Sequence, residues 1–231
     1  MIAVIPARGG SKGLPGKNIR DFNGKPLIYY TICEAKKAKR IERIIVSTDD
    51  PEIADISLSY GADIPFYRPA ELATDNALAI DNYIYTIQRM NRDFGQDIQQ
   101  FVVLQPTSPL RTAADIDQAM NLFQNNDADS VISVVKFSHP PHWAKGIDEQ
   151  GRIGSYFKDT EIDVNMNRQH YLPAFVPNGA IFVFKTELLL RKHSYYSDRT
   201  YAYVMPQERS IDIDTLLDFE YAQLLMKRRD G

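Results

Sequence analysis

The chain has 231 residues, 44% of them hydrophobic and 25% charged, a size and balance that suit one globular domain with a small appendage. A formal net charge of −3 argues against a general nucleic-acid binder, and the single cysteine, Cys33, rules out an internal disulfide. No run approaches the ~20 apolar residues of a membrane helix and no basic region precedes the short apolar start, so a cytoplasmic protein is expected.

The first landmark is the apolar run Ile2 to Ile5, which ends at Pro6 and enters a loop holding Gly9, Gly10, Gly13 and Gly16 among Arg8, Lys12 and Lys17. Glycines let backbone N–H groups approach a ligand closely, and the cations supply the charge that a polyphosphate needs. The spacing is neither that of a Walker loop nor Gly-x-Gly-x-x-Gly: Ser11 stands where each pattern requires a glycine. A loop at the carboxyl end of a first strand is nevertheless where open α/β sheets bind ligands.

The segment Ile5-Pro-Ala-Arg-Gly-Gly-Ser-Lys-Gly-Leu-Pro-Gly-Lys-Asn18 resembles the amino-terminal signature of the acylneuraminate cytidylyltransferases, which activate sialic acid and related nine-carbon sugars. The resemblance implies an α/β fold, a Rossmann-like nucleotidyltransferase with a mostly parallel central sheet flanked by helices. It also implies that Arg8, Ser11, Lys12 and Lys17 hold the triphosphate of CTP and that Asn18 contacts the nucleotide.

A helix is predicted to follow from Lys25-Pro26, with Cys33 as a structural thiol within it. Glu42 to Asp50 reads as a second strand ending in a Ser/Thr/Asp cluster, and Pro51 opens a helix over roughly 52–60. This alternation implies a parallel sheet. Arg68 precedes a proline in an extended loop before an amphipathic stretch over about 79–92. In the resembling family an arginine in this Arg-Pro-x-x-Leu-Ala segment contacts the nucleotide. A hydroxyl residue that often assists it is replaced here by Ala79.

Phe101 to Leu104 reads as a buried central strand, and Gln105-Pro-Thr-Ser-Pro-Leu-Arg111 emerges from its carboxyl end. By resemblance, Gln105 serves the sugar pocket; Thr107 or Ser108 alternatively caps the helix that begins near Ala113, and Arg111 alternatively sits on its surface. Ser130 to Lys136 is a further strand. Residues 137–177 then lose any sustained period, so two units are expected: 1–136 with 178–231, and an inserted 137–177. The family's insertion is a small dimerisation lobe through which one subunit completes its partner's site, so a homodimer is implied. His139 and His142 lack further ligands at metal spacing and read as loop histidines, whereas Trp143, Tyr156 and Phe157 read as interface anchors.

The return segment Asn167 to Phe184 resembles the family's Arg-Gln…Pro-Asn-Gly-Ala-Ile-Tyr stretch, with Phe182 in place of the tyrosine. It assigns Arg168, Gln169 and Asn178 to the acidic sugar, together with Lys145 from the insertion. Finally, the alternation Ile211, Asp212, Ile213, Asp214 puts both carboxylates on one face, where a divalent cation, Mg²⁺ or Mn²⁺, would sit between them. Asp214 or Thr215 alternatively caps the last helix with Asp218.

Three readings follow. The first is a cytidylyltransferase joining CMP from CTP to a nonulosonic acid, with catalysis by Asp212, Asp214, Lys17 and Arg8. The second is an Asp-x-Asp glycosyltransferase, and the third a non-catalytic nucleotide-binding subunit.

Overall fold

The computed structural model describes residues 1–10, 13–157 and 168–230, with Ser11 and Lys12 of the first loop outside them. Six strands form one sheet: β1 (Ile2–Pro6), β4 (Arg43–Ser47), β5 (Gln100–Val103), β6 (Ser130–Lys136), β9 (Phe175–Lys185) and β10 (Thr200–Val204), in the order β10-β6-β9-β5-β1-β4. The pairs β4–β1, β1–β5 and β6–β10 are parallel, and only β9 runs antiparallel to both its neighbours. The expected mostly parallel sheet is therefore present. The antiparallel β9 is explained by the insertion: the chain leaves the sheet after Lys136 and re-enters from the same end, so β9 comes back alongside β6.

Alternate side chains divide the strands between two cores, as a period of two requires. Ala3, Ile5, Val46, Val102 and Ile181 face α1 (Leu27–Lys37), α2 (Pro51–Ser59) and α4 (Ala113–Asn125). Val4, Ile45, Phe101, Val103 and Phe184 face α3 (Ala79–Phe94) and α5 (Thr186–Lys192). Strands with both faces covered need not alternate with polar residues, which is why they read as continuous apolar runs. A third cluster joins Leu14 of the first loop and Phe22 of the small hairpin β2 (Asp21–Phe22) and β3 (Lys25–Pro26) to α6 (Leu216–Asp230) through Ile213, Phe219 and Met226. That cluster brings the two ends of the chain together.

The helix starts are fixed locally. Asp50 accepts from the N–H groups of Glu52 and Ile53 (2.8 and 3.1 Å) ahead of Pro51, so the Ser/Thr/Asp cluster does begin a helix. α4 is capped by Thr112 in a reciprocal box with Asp115, not by Thr107 or Ser108, whose backbone belongs to the preceding turn. The stretch 211–214 pairs with no strand; the Ile213 N–H donates to the Thr107 carbonyl (2.9 Å), and Lys17 bonds to the Ile213 carbonyl and to Asp214 from the other side. Between Lys136 and Phe175 the described residues form a two-stranded hairpin, β7 (Lys145–Ile147) and β8 (Ile153–Ser155), separate from the main sheet.

Candidate active site

A cleft of about 520 Å³ opens at the carboxyl ends of β1, β4 and β5. Arg8 and Lys17 come from the loop after β1, Arg68 from the segment after β4, Gln105 from the end of β5, and Asp214 from the stretch before α6. The open end of a parallel sheet is a natural binding site because the loops that diverge there leave space between them.

Lys17 reaches across the cleft floor. Its Nζ donates to the Ile213 carbonyl and pairs with Asp214 Oδ1 at 3.3 Å, a contact spanning 197 positions of sequence. The approach is close: a methyl group on Gly13 would sit 2.5 Å from the Asp214 carbonyl oxygen, so only glycine fits there. Asn18 is buried and donates to the Arg8 carbonyl (3.0 Å), which holds the loop's curvature. Arg8 swings to the opposite rim, pairing with Asp75 (2.9 Å) and donating to the Ala73 carbonyl (3.3 Å).

The acid pair emerges as the alternation predicted: Ile213 is buried, while Asp212 and Asp214 are exposed. The competing demand for a helix cap is met by others. Thr215 and Asp218 exchange hydrogen bonds (Thr215 N to Asp218 Oδ2, 2.8 Å; Asp218 N to Thr215 Oγ1, 3.3 Å), so neither Asp212 nor Asp214 spends its carboxylate on capping. Solvent reaches Asp212, yet its carboxyl lies low between walls. Partial burial raises its pKa and the like charge of Asp214 adds to the shift, while a hydrogen bond from Thr107 and the charge of Lys17 oppose it. Beside it, Gly179 takes φ +73, and a methyl there would meet Gln105 Oε1 at 2.6 Å and Asp212 Oδ2 at 3.2 Å. Gln105, Gly179 and Asp212 thus converge.

The frame beneath these groups is polar and buried. Arg111, expected in a loop or on a helix surface, is 1% exposed and donates to the carbonyls of Gln105 (3.1 Å) and Ala180 (2.8 Å) and to Thr31 Oγ1 (2.7 Å). Burial lowers its pKa to about 10, against the pull of Glu34 and Asp115. Asp115 takes a two-pronged grip from Arg209 (3.0 and 2.9 Å), which anchors the segment leading to the acid pair. Burial pushes the Asp115 carboxyl up, but hydrogen bonds from Arg209, Thr112 and Tyr203 outweigh it and hold the pKa low. No signal in the sequence marked Arg111, Asp115 or Arg209 as partners, because each acts through a contact with a distant segment.

Several expected residues lie elsewhere. Asn178 is buried with its amide fully engaged: Oδ1 accepts from Ser133 Oγ (2.6 Å) and Ala180 N (3.2 Å), and Nδ2 donates to Ser210 Oγ (2.9 Å) and Met205 Sδ (3.3 Å). It builds the Gly179 turn and presents no free group to a sugar. Gln169 and Lys145 are exposed and line no part of this cleft; Gln169 borders a separate hollow beside Phe137 and Pro140. Ser11 and Lys12 lie outside the described residues, as does the Arg168 side chain.

The pair Asp212 and Asp214 suits a hard cation in part. Among the described residues no group of three or more His, Cys, Asp or Glu that could hold a metal ion converges, so a cation at this pair would have at most two carboxylates from them. Mg²⁺ is commonly bound in this way, beside phosphates, whereas zinc takes a full protein set at its structural sites.

The chain is similar to several known proteins. The chain is 38% identical over 233 residues to the CMP-N,N'-diacetyllegionaminic acid synthase of Legionella pneumophila, covering 98% of this chain and 96% of that protein. It is 39% identical over 224 residues to an N-acylneuraminate cytidylyltransferase of Streptococcus agalactiae, covering 94% of this chain but only 51% of the relative. Identity to the pseudaminic acid cytidylyltransferase of Campylobacter jejuni is 32% over 229 residues, covering 98% and 96%. Among solved structures, a CMP:2-keto-3-deoxy-manno-octonic acid synthetase complexed with CTP superposes with a TM-score of 0.73 over 99% of this chain and 98% of that one; at 17% identity it shows a shared fold. Residues 2–229 match the sequence model of the cytidylyltransferases, and with the glycine-rich cation loop meeting Asp214 of the Asp-x-Asp pair across one cleft, the chain belongs to that family.

Proposed function

We propose that the protein transfers CMP from CTP to the anomeric hydroxyl of a nonulosonic acid, releasing pyrophosphate. The observation that carries this reading is the meeting of Lys17 with the Ile213–Asp214 backbone and carboxylate, which puts a cationic loop and an acid pair on the same ligand space. The names of the relatives, synthases and cytidylyltransferases for legionaminic, acylneuraminic and pseudaminic acids, support the class of acceptor.

In this reaction the acceptor hydroxyl oxygen bonds to the α-phosphorus, and the bond from that phosphorus to the pyrophosphate oxygen breaks. Little covalent help is needed; positioning and charge neutralisation provide most of the rate. Lys17, Arg8 and the loop N–H groups hold the departing pyrophosphate. For Arg8 this means exchanging Asp75 for phosphate oxygens. Asp212, whose pKa is raised, accepts the hydroxyl proton, and Gln105 at its side orients the acceptor. Asp212 and Asp214 would hold Mg²⁺, which when bound supplies neutralisation of the phosphate charge. Asn178 contributes by shaping the Gly179 turn, a positioning role.

The insertion completes the assembly. Ile147, Ile153 and Leu172 leave 74%, 71% and 90% of their surface exposed, more apolar area than an isolated hairpin should show to water. A second copy of the chain covers them, and Lys145 and Gln169, remote from their own cleft, serve the partner's sugar.

The test is pyrophosphate release from CTP with Mg²⁺ and, separately, N-acetylneuraminate, a legionaminate-type acid and a pseudaminate-type acid, with no acceptor glycan present. Release with at least one acid is expected. Saturable CTP binding without release on any of them favours a non-catalytic subunit, and release only when a glycan is added favours a glycosyltransferase.

A further inference from the structure

Asn82 lines the cleft from the first turns of α3 yet is 2% exposed, and its Nδ2 has no hydrogen-bond partner among the described residues. The orientation of that amide follows from its neighbours. Arg68 can only donate, and its Nε points at Ser47 Oγ (3.3 Å); the Ser47 proton is then committed to Asn82 Oδ1 (2.8 Å). The Asn82 NH₂ group is therefore turned away from Ser47 with both protons unspent. A buried donor left unpaired is costly, and native proteins rarely keep one without a use.

Arg68 stands beside it, held by bonds to Ser47 Oγ (3.3 Å) and to the Ser47 carbonyl (2.5 Å). It is 7% exposed and forms no ion pair among the described residues; burial lowers its pKa to about 10 despite the influence of Asp49. Arg68 and Asn82 thus give this wall of the cleft hydrogen-bond donors, and Leu72, Leu78 and Ala79 supply apolar surface beside them. Such a wall suits a flat ring whose edge carries acceptors. Cytosine presents acceptors at O2 and N3, whereas uracil carries a proton at N3 that would face the NH₂ group donor to donor.

Resting on the proposed use of CTP, we infer that Asn82 is the residue that selects cytosine over uracil in this chain, its Nδ2 donating to N3 of the base. On the α3 wall Ala79 has no hydroxyl and the Tyr83 phenol is engaged with Gln105, so the Asn82 amide is the α3 donor left without a partner there.

Titration calorimetry of the full chain with Mg²⁺ and CTP, UTP or 3-deaza-CTP tests the assignment. The wild-type protein should bind CTP about tenfold or more tightly than either of the other two, the size expected for one matched against one unmatched hydrogen bond. Asn82→Leu, which removes the donors, and Asn82→Asp, which keeps the Ser47 bond and replaces the donor by an acceptor, should each reduce the CTP-to-UTP ratio about tenfold. Equal binding of CTP and 3-deaza-CTP by the wild type would overturn the inference, as would an unchanged ratio in folded variants, since a purely structural role weakens both nucleotides alike. The wild-type comparison needs no variant to fold. Pyrophosphate release from CTP alongside unchanged ratios would remove Asn82 from base selection and leave the proposed reaction standing; failure of the wild type to bind CTP would remove both.

Discussion

The cleft and the inserted segment handle their side chains in opposite ways. Around the cleft, groups that would be costly to bury alone are paired within the chain: Asp115 with Arg209, Asn178 with Ser133 and Ser210, Arg111 with two carbonyls. On the insertion, large apolar side chains such as Ile147 and Leu172 meet water. Most of this polar frame is paired within one chain, as a site whose groups must be fixed before substrate arrives requires, while the Asn82 amide keeps an unpaired donor. The insertion's surface is the one we propose a second copy covers.

The sharpest way to break this comparison is at the acid pair. Asp212→Asn should lower kcat/KM for pyrophosphate release by about 10³-fold or more, because the proposed proton acceptor and cation ligand is lost. The same change should raise the melting temperature at neutral pH. A folded-state carboxyl pKa above its unfolded value gives stability that is present at low pH and lost as pH rises through the folded pKa, so near pH 7 the charge is a burden that asparagine removes. Activity within tenfold of wild type would show that the carboxylate is not used.

Lys17→Met comes next. It removes a charge from the leaving pyrophosphate and from Asp214, and should reduce kcat/KM by about 10²-fold. Pyrophosphate should inhibit the variant more weakly than the wild type in product-inhibition assays. The insertion is probed by Ile147→Asp combined with Leu172→Asp: sedimentation should show self-association weakened by about 10²-fold, with CTP binding retained because the cleft is built from one chain. Loss of CTP binding in that variant would contradict the separation of the two regions.

Smaller effects sharpen the frame. Arg209→Ala strands the buried Asp115 carboxylate and should cost about 2–4 kcal/mol in urea unfolding, with a modest fall in kcat as the acid-bearing segment loosens. Asp214→Asn removes a like charge that raises the Asp212 pKa, so the acid limb of the pH–rate profile should move to lower pH.

Much of this was legible from the sequence. The apolar run before Arg8, the cluster before Pro51 and the alternation at 211–214 are local patterns, and each placed its element or face correctly. Residues whose role depends on a long-range contact were not legible. Arg111 as a buried clamp and Asn82 as an unpaired donor depend on what lies opposite in space, and neither spacing nor periodicity carries that information, whereas the Thr112-x-x-Asp115 box that caps α4 is a local pattern that was passed over. β10 escaped for a different reason: Tyr201, Ala202 and Val204 on the sheet edge are exposed, so no apolar period marks it.

The central claim is that the two ends of the chain act on a single nucleotide. A crystal structure with CTP and Mn²⁺, read by the anomalous signal of manganese, tests it directly. The account predicts a manganese peak within coordination distance of the Asp212 carboxylate and a nucleotide phosphate, with Lys17 on the same triphosphate; manganese or triphosphate bound away from this cleft would contradict it.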